Sequence, residues 1–159
     1  MAYLKEITEY RAEIMKILCS DPKIVELLTD KKDRTIPDRK LMYTQIFPYA
    51  HTPETTQKAT TYICFRLTVP RVDNKTYKNI SITFYIFTHQ SLIRTTDGLR
   101  FDLIGEAIDG LFNGKRGLGL GRVELNGMDD ISPADKYHGI SLEYVVSEYN
   151  RPTINGKGR

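Results

Sequence analysis

The stretch NGKRGLGLGRVEL, residues 113–125, gathers residue types that handle phosphate: Gly114, Gly117, Gly119 and Gly121 beside Lys115 and Arg116. A nucleotide P-loop needs GxxxxGK followed by Ser or Thr, so that the lysine reaches the phosphates and the hydroxyl holds magnesium. Here Gly114-Lys115 is followed by Arg116, and no glycine stands at the required earlier position. A dinucleotide fingerprint needs a strand before its glycines and a helix after them, and this stretch has the reverse order. Asp129, Asp130 and Asp135 lack calcium-loop spacing and flank Pro133, which favours a solvated turn. His51, His89 and His138 stand singly, without HExxH or a deaminase signature, and Ser91 and Ser132 have no GxSxG context. Pro37-Asp38-Arg39-Lys40 carries the residue types of a nuclease acid-and-lysine pair, but in a loop rather than on paired strands. Cys19 and Cys64 are far apart with no CxxC, so two buried reduced thiols are expected. No catalytic, metal or cofactor site is expected, and the chain reads as a non-enzyme.

The elements that would position these residues follow from periodicity. Ile7, Tyr10, Ile14, Ile17 and Leu18 recur at helical steps, in a first helix that should stop near Cys19-Ser20. Asp21 is a good N-cap with Pro22 behind it, opening a short second helix with Ile24, Val25, Leu27 and Leu28 on its apolar side. Strict alternation follows twice. Ile63, Phe65, Leu67 and Val69 share one strand face, and Ile80, Ile82, Phe84 and Ile86 another, with Asp73-Asn74 as hairpin turn residues. Tyr85 and Phe87 lie on the second strand's opposite face, which is expected to be partly covered too.

Thr96 or Asp97 can cap a third helix whose Leu99, Leu103, Ala107, Ile108 and Leu111 lie along one side, ending at Asn113-Gly114. Arg94 and Arg100 bracket that cap. Arg100 is expected to pair with Asp97 or Glu106 on its own helix, the alternative being an acidic partner. The strand GRVEL follows, with a bulge expected at Gly119 or Gly121, then the polar connection NGMDDISPADKY and the strand HGISLEYVVSEY. The expected fold is α+β: an antiparallel sheet of about four strands with helices packed on one face. Residues 1–149 form one domain in this reading.

From Lys31 to Lys58 no period survives. Three prolines share this segment with Leu41, Met42, Tyr43, Ile46, Phe47 and Tyr49. Disordered linkers are poor in aromatics. Two readings are open: an extended arm that docks on something apolar, or a loop packed on its own domain with a short strand around Met42 to Phe47.

The 159 residues carry a net charge of +3, and the tail NRPTINGKGR supplies Arg151, Lys157 and Arg159 with no acid. The folded body is therefore close to neutral, unlike a nucleic-acid reader with a basic stripe. Residues 150–159 are expected to be a flexible basic tail. No apolar run approaches the ~20 residues of a membrane span. The opening MAYLKEITEYRAEIMK lacks a signal peptide's apolar core, so a cytoplasmic protein is expected.

The leading amphipathic helix, the hairpin, the phrase RTTDGLRFDLIGEAIDGLFNG, then GLGLGRVEL and a final strand resemble the neck and tail-completion proteins of tailed phages and prophages. The likeness is strongest to the tail-terminator type of Gram-positive hosts and spans roughly Leu4 to Tyr149. It implies a small α+β protomer that assembles into a homo-oligomeric ring, often a hexamer, at the head-proximal end of the tail. Its partners would be tail-tube and neck proteins, and its place the virion, assembled in host cytoplasm. Such proteins are not enzymes. Under this resemblance Tyr43, Phe47 and Tyr49 are candidates to anchor on a neighbour. Lys115 and Arg116 form a basic turn that could touch an adjoining subunit, and Arg151 in the tail could face channel DNA or an acidic partner. The competing readings are a small nucleic-acid-binding module using the basic tail and, behind it, a small enzyme with a site in the 31–58 loop.

Overall fold

The computed structural model describes residues 4–32, 35–54, 57–72 and 76–149, and the backbone of 153–154 and 157–158. Helix α1 covers Lys5–Ser20 and α2 covers Pro22–Thr29. The break between them is chemical. Asp21 is extended, its carboxylate accepts the Ile24 N–H at 3.0 Å, and Pro22 cannot continue a helix from the preceding turn. Strand β1 is Ile46–Phe47, β2 Thr61–Arg71, β3 Tyr77–His89, β4 Arg94–Thr95 and β5 Gly98–Leu99. Helix α3 is Arg100–Phe112, followed by β6 at Glu124–Ala134 and β7 at Tyr137–Tyr149. In the tail Thr153–Ile154 pairs with Lys157–Gly158.

One mixed sheet carries the fold, in the order β1-β2-β3-β7-β6. All neighbours are antiparallel except β1, which runs parallel to β2 with Ile46 opposite Ile63. The α+β class and the helices on one face agree with the sequence reading, and β1 adds a fifth strand. Ile63, Phe65, Ile80, Ile82, Phe84, Ile86, Ile140, Leu142 and Tyr144 form the sheet side of the main core. Ile14, Leu18, Ile24, Leu28, Ile104, Ile108 and Phe112 form its helical side. At Gly105 a Cβ would meet Ile140 Cδ1 at 2.6 Å, so the glycine lets α3 lie against the sheet without displacing that methyl.

Several local expectations need correction. Helix α3 begins at Arg100, because Thr96 and Asp97 are the turn of the β4–β5 hairpin, where Thr95 Oγ1 donates to Gly98 O at 2.6 Å. Its inward stripe is Ile104, Ile108 and Phe112, with Leu103, Ala107 and Leu111 half-buried beside it and Leu99 exposed. The segment NGMDDISPA is strand, not a polar connection. As the sheet's outer edge it has mostly exposed side chains, so no buried face imposes an alternating pattern. The bulges fall at Leu125/Gly127 and Ile131/Ala134, not at Gly119 or Gly121. Gly119 lies instead in a loop against β7, with φ +134°, where a Cβ would come within 2.6 Å of Ser147 O. The expected turn Asp73-Asn74 lies outside the described residues.

Arg100 does not pair along its own helix. Its guanidinium is buried and donates to Leu92 O and Leu27 O, each at 2.7 Å, and to Asp30 at 2.8 Å. It thus satisfies a carbonyl of the last turn of α2, a group that has no partner within that helix.

Candidate assembly surface

Within the segment 35–54, Leu41, Ile46, Phe47, Pro48 and Pro53 are buried in the chain's own domain. Asp38 starts a 3-10 turn over Arg39–Leu41, its carboxylate accepting the Lys40 N–H at 3.2 Å, and its own N–H donates to Cys19 O. The Gln45 amide then donates to Leu28 O at 2.7 Å and Thr61 O at 3.1 Å, which fixes β1 against β2. Phe47, at 6% exposure, stacks on His51 with ring centroids 3.9 Å apart and packs near Tyr62. It is therefore a core residue of its own subunit, not a free anchor. Tyr43 and Tyr49 differ: they are 61% and 50% exposed and their rings lie 6.4 Å apart. Exposed Arg39 and Lys40 precede them on the same segment.

The aromatic series continues over the sheet face away from the helices. Tyr62, Phe87 and Tyr137 are buried with Cys64, and Tyr85 and Ile131 pack on them. Burial between Phe47 and Tyr62 lowers the His51 pKa against the opposing pull of Glu54, and burial raises the Cys64 thiol to about 11. The rest of this face is an open polar groove of about 480 Å³, lined in part by Arg66, Thr83, Tyr85, Asp129 and Glu143. Within it Arg66 donates to Tyr85 Oη at 3.3 Å and Ser81 to Glu143 at 3.0 Å.

Two Ser–His contacts exist. Ser91 Oγ lies 2.8 Å from His89 Nδ1, and Ser132 Oγ lies 3.1 Å from His138 Nδ1. The His89 nitrogen also accepts the Ser91 N–H at 3.2 Å, so it closes the short 3-10 turn at Gln90–Leu92. Neither contact has a third side chain orienting its imidazole among the described residues, as an activated nucleophile needs. Asp129 and Asp130 lie on β6 and Asp135 in the turn after it.

At the opposite edge of the sheet β6 pairs with β7 alone. Leu125 and Met128 lie opposite Tyr144 and Leu142 of the core-facing register, yet they are 42% and 59% exposed. Helix α3 packs on β3 and β7, and its C-cap Asn113 accepts the Leu125 N–H at 3.3 Å, yet neither side chain is covered. The basic turn of Lys115 and Arg116 belongs to a loop closed by Gly114 N–H to Val123 O and Val123 N–H to Lys115 O, and Leu120 N–H holds it to Ser147 O. Arg116 is exposed and Lys115 half-buried. The sequence candidates thus divide between two places, Tyr43 and Tyr49 near β1 and the basic turn beside β7. Arg151 lies outside the described residues. Leu125 and Met128 escaped the sequence reading, although two large apolar residues within a polar run were the available signal.

The fold and this surface describe a small α+β protein with large exposed apolar side chains near both edges of one sheet. The YomW family model matches residues 21–146, most of the domain, and the chain belongs to that family. Membership points to a phage-associated protein encoded in a phage-type genome. A search of the curated proteins returned no match.

Proposed function

We propose that this chain is a structural virion-assembly protein of a tailed phage, forming a homo-oligomeric ring at the head–tail junction as a tail-terminator or tail-completion component. The observation that carries the reading is the exposure of large apolar side chains near both sheet edges, Tyr43 and Tyr49 at one and Leu125 and Met128 at the other. Such side chains in water favour burial against protein, and two separate patches suit a subunit with a neighbour on each side. The phage-associated family supports the setting, and the order of elements supports the tail-terminator type. The partners in this reading are further copies of the chain, tail-tube protein and neck protein, and the site of action is the virion. It acts by shape and contact, without catalysis or cofactor.

Size-exclusion chromatography with light scattering tests this, on the chain alone and mixed with tail-tube protein of the same phage. The expected result is a discrete closed oligomer in at least one of the two. A monomer in both that shifts DNA with a steep salt dependence would replace this reading with the nucleic-acid-binding one.

A further inference from the structure

Resting on the ring reading, we propose which surfaces meet: the β6 edge of one copy docks on the Arg39–Tyr49 surface beside β1 of the next. The two surfaces are complementary in charge. Strand β6 carries Glu124, Asp129 and Asp130, all exposed, and no basic residue. The surface beside β1 presents exposed Arg39 and Lys40. Among the described residues none of these five charges has an ion-pair partner in its own chain.

They are complementary in apolar character too. Met128 and Leu125 offer a flexible thioether and an aliphatic side chain, and Tyr43 and Tyr49 offer adjacent rings. Thioethers make favourable contacts with aromatic rings, and tyrosine gives large contact area at low entropic cost.

The occupant is a second copy in head-to-tail orientation. Two β6 edges placed together would bring Asp129 and Asp130 against their own kind, and Pro133 with two bulges interrupts the regular ladder such pairing needs. Four strand spacings separate β1 from β6, about 19 Å. A lateral head-to-tail contact between opposite edges leaves, in each pair of molecules, one patch of either kind open. Such heterologous contacts propagate and end only when the ring closes.

Charge reversal tests the pairing. The variants are Asp129→Lys with Asp130→Lys, Arg39→Glu with Lys40→Glu, and the quadruple variant combining them. Each is checked for an unchanged Tm and then sized by light scattering, under the condition in which the natural chain assembles. The expected result is loss of the oligomer in each double variant and its return in the quadruple variant, where a basic β6 meets an acidic neighbour. An equimolar mixture of the two double variants should also assemble, because each supplies the edge that the other's altered patch fits. Double variants that are folded and assemble like the natural chain overturn the docking proposal while leaving the ring standing. So do folded double variants that the mixture and the quadruple change both fail to rescue. A natural chain that stays monomeric, alone and with tail-tube protein, overturns the ring and the docking together.

Discussion

Arg100 shows how a side chain that looks like a surface charge can be an internal strut. Its three acceptors are two backbone carbonyls and Asp30, whose own side chain is 64% exposed. The exposed carboxylate contributes little, since water already solvates it, whereas the carbonyls of Leu27 and Leu92 depend on the guanidinium. Arg100→Met is expected to cost about 3 kcal/mol by leaving those groups poorly satisfied. That corresponds to a Tm lower by roughly 9 °C. Asp30→Asn is expected to cost under about 1 kcal/mol. Equal losses in the two variants by calorimetry would show that the ion pair, not the carbonyl contacts, holds α2 to α3. The two thiols give a pH signature. Burial raises Cys19 and Cys64 from the ordinary 9.0 to about 11, with Asp38 adding to the effect at Cys19. Between those values the native state keeps protons that the unfolded chain releases, so the stabilisation is whole below pH 9 and falls as pH rises towards 11. Urea titrations should show this decline, and a Cys19→Ala, Cys64→Ala variant should have a flatter profile between pH 9 and 10. An identical profile would assign the decline to other groups, such as Tyr10 and Tyr144, whose hydroxyls are also raised by burial and by hydrogen bonds to Glu148 and Asp109.

At the scale of elements, glycine positions separate what packing forbids from what it tolerates. Gly139 of β7 lies opposite Phe87 of β3, and a Cβ there would fall 1.7 Å from Ile86 O. Gly139→Ala must therefore push the two central strands apart, at an expected cost of about 3 kcal/mol. Gly110 is exposed on α3 with nothing within 4 Å of a Cβ, so Gly110→Ala should stabilise by about 0.5–1 kcal/mol through helix propensity alone. Denaturant midpoints measure both, and a neutral Gly139→Ala would mean that β3 and β7 are less rigidly paired than their continuous register suggests. The same contrast between buried and exposed elements explains what could be read from sequence. Where one face is buried the pattern is strict, as in Ile80, Ile82, Phe84 and Ile86, and the Asp21-Pro22 break carries its own local chemistry. Strand β6 has no such face: its partner β7 selects it through backbone pairing, which leaves little trace in residue type. Strand β1 is too short for any period and is placed by Gln45 and the buried Ile46. Arg100 could not be assigned from sequence because Asp30 and Leu27 come from an element about seventy residues away. The surface was half legible. Tyr43 and Tyr49 stood out as aromatics in an aperiodic segment, while Met128 took on meaning only once β6 was known to be an edge.

Across the whole molecule, composition conceals an asymmetry. The near-neutral charge of the folded body averages over a sheet whose strand β6 carries only acidic charge and whose β1 side presents Arg39 and Lys40. An average cannot report such a division, but exchange of backbone hydrogens can. Strand β3 is paired along its length with β2 and β7 and lies under α3, so its amides should be the slowest to exchange, opening only with global unfolding. Strand β6 has one neighbour and exposed side chains, so in the monomer the segment Glu124–Ala134 should exchange early. Docking that edge on an adjoining subunit would bury Leu125 and Met128 and exclude water from the outer side of the strand. Deuterium uptake of residues 124–134 and 39–49 should then fall several-fold in the assembled form relative to a charge-reversed monomer, while uptake in β3 stays unchanged. Equal uptake at β6 in both forms would mean that the subunits meet elsewhere, and the loop of Lys115 and Arg116 would become the surface to examine. A slowing confined to β6, with residues 39–49 unaffected, would instead place the acidic edge against a surface other than residues 39–49.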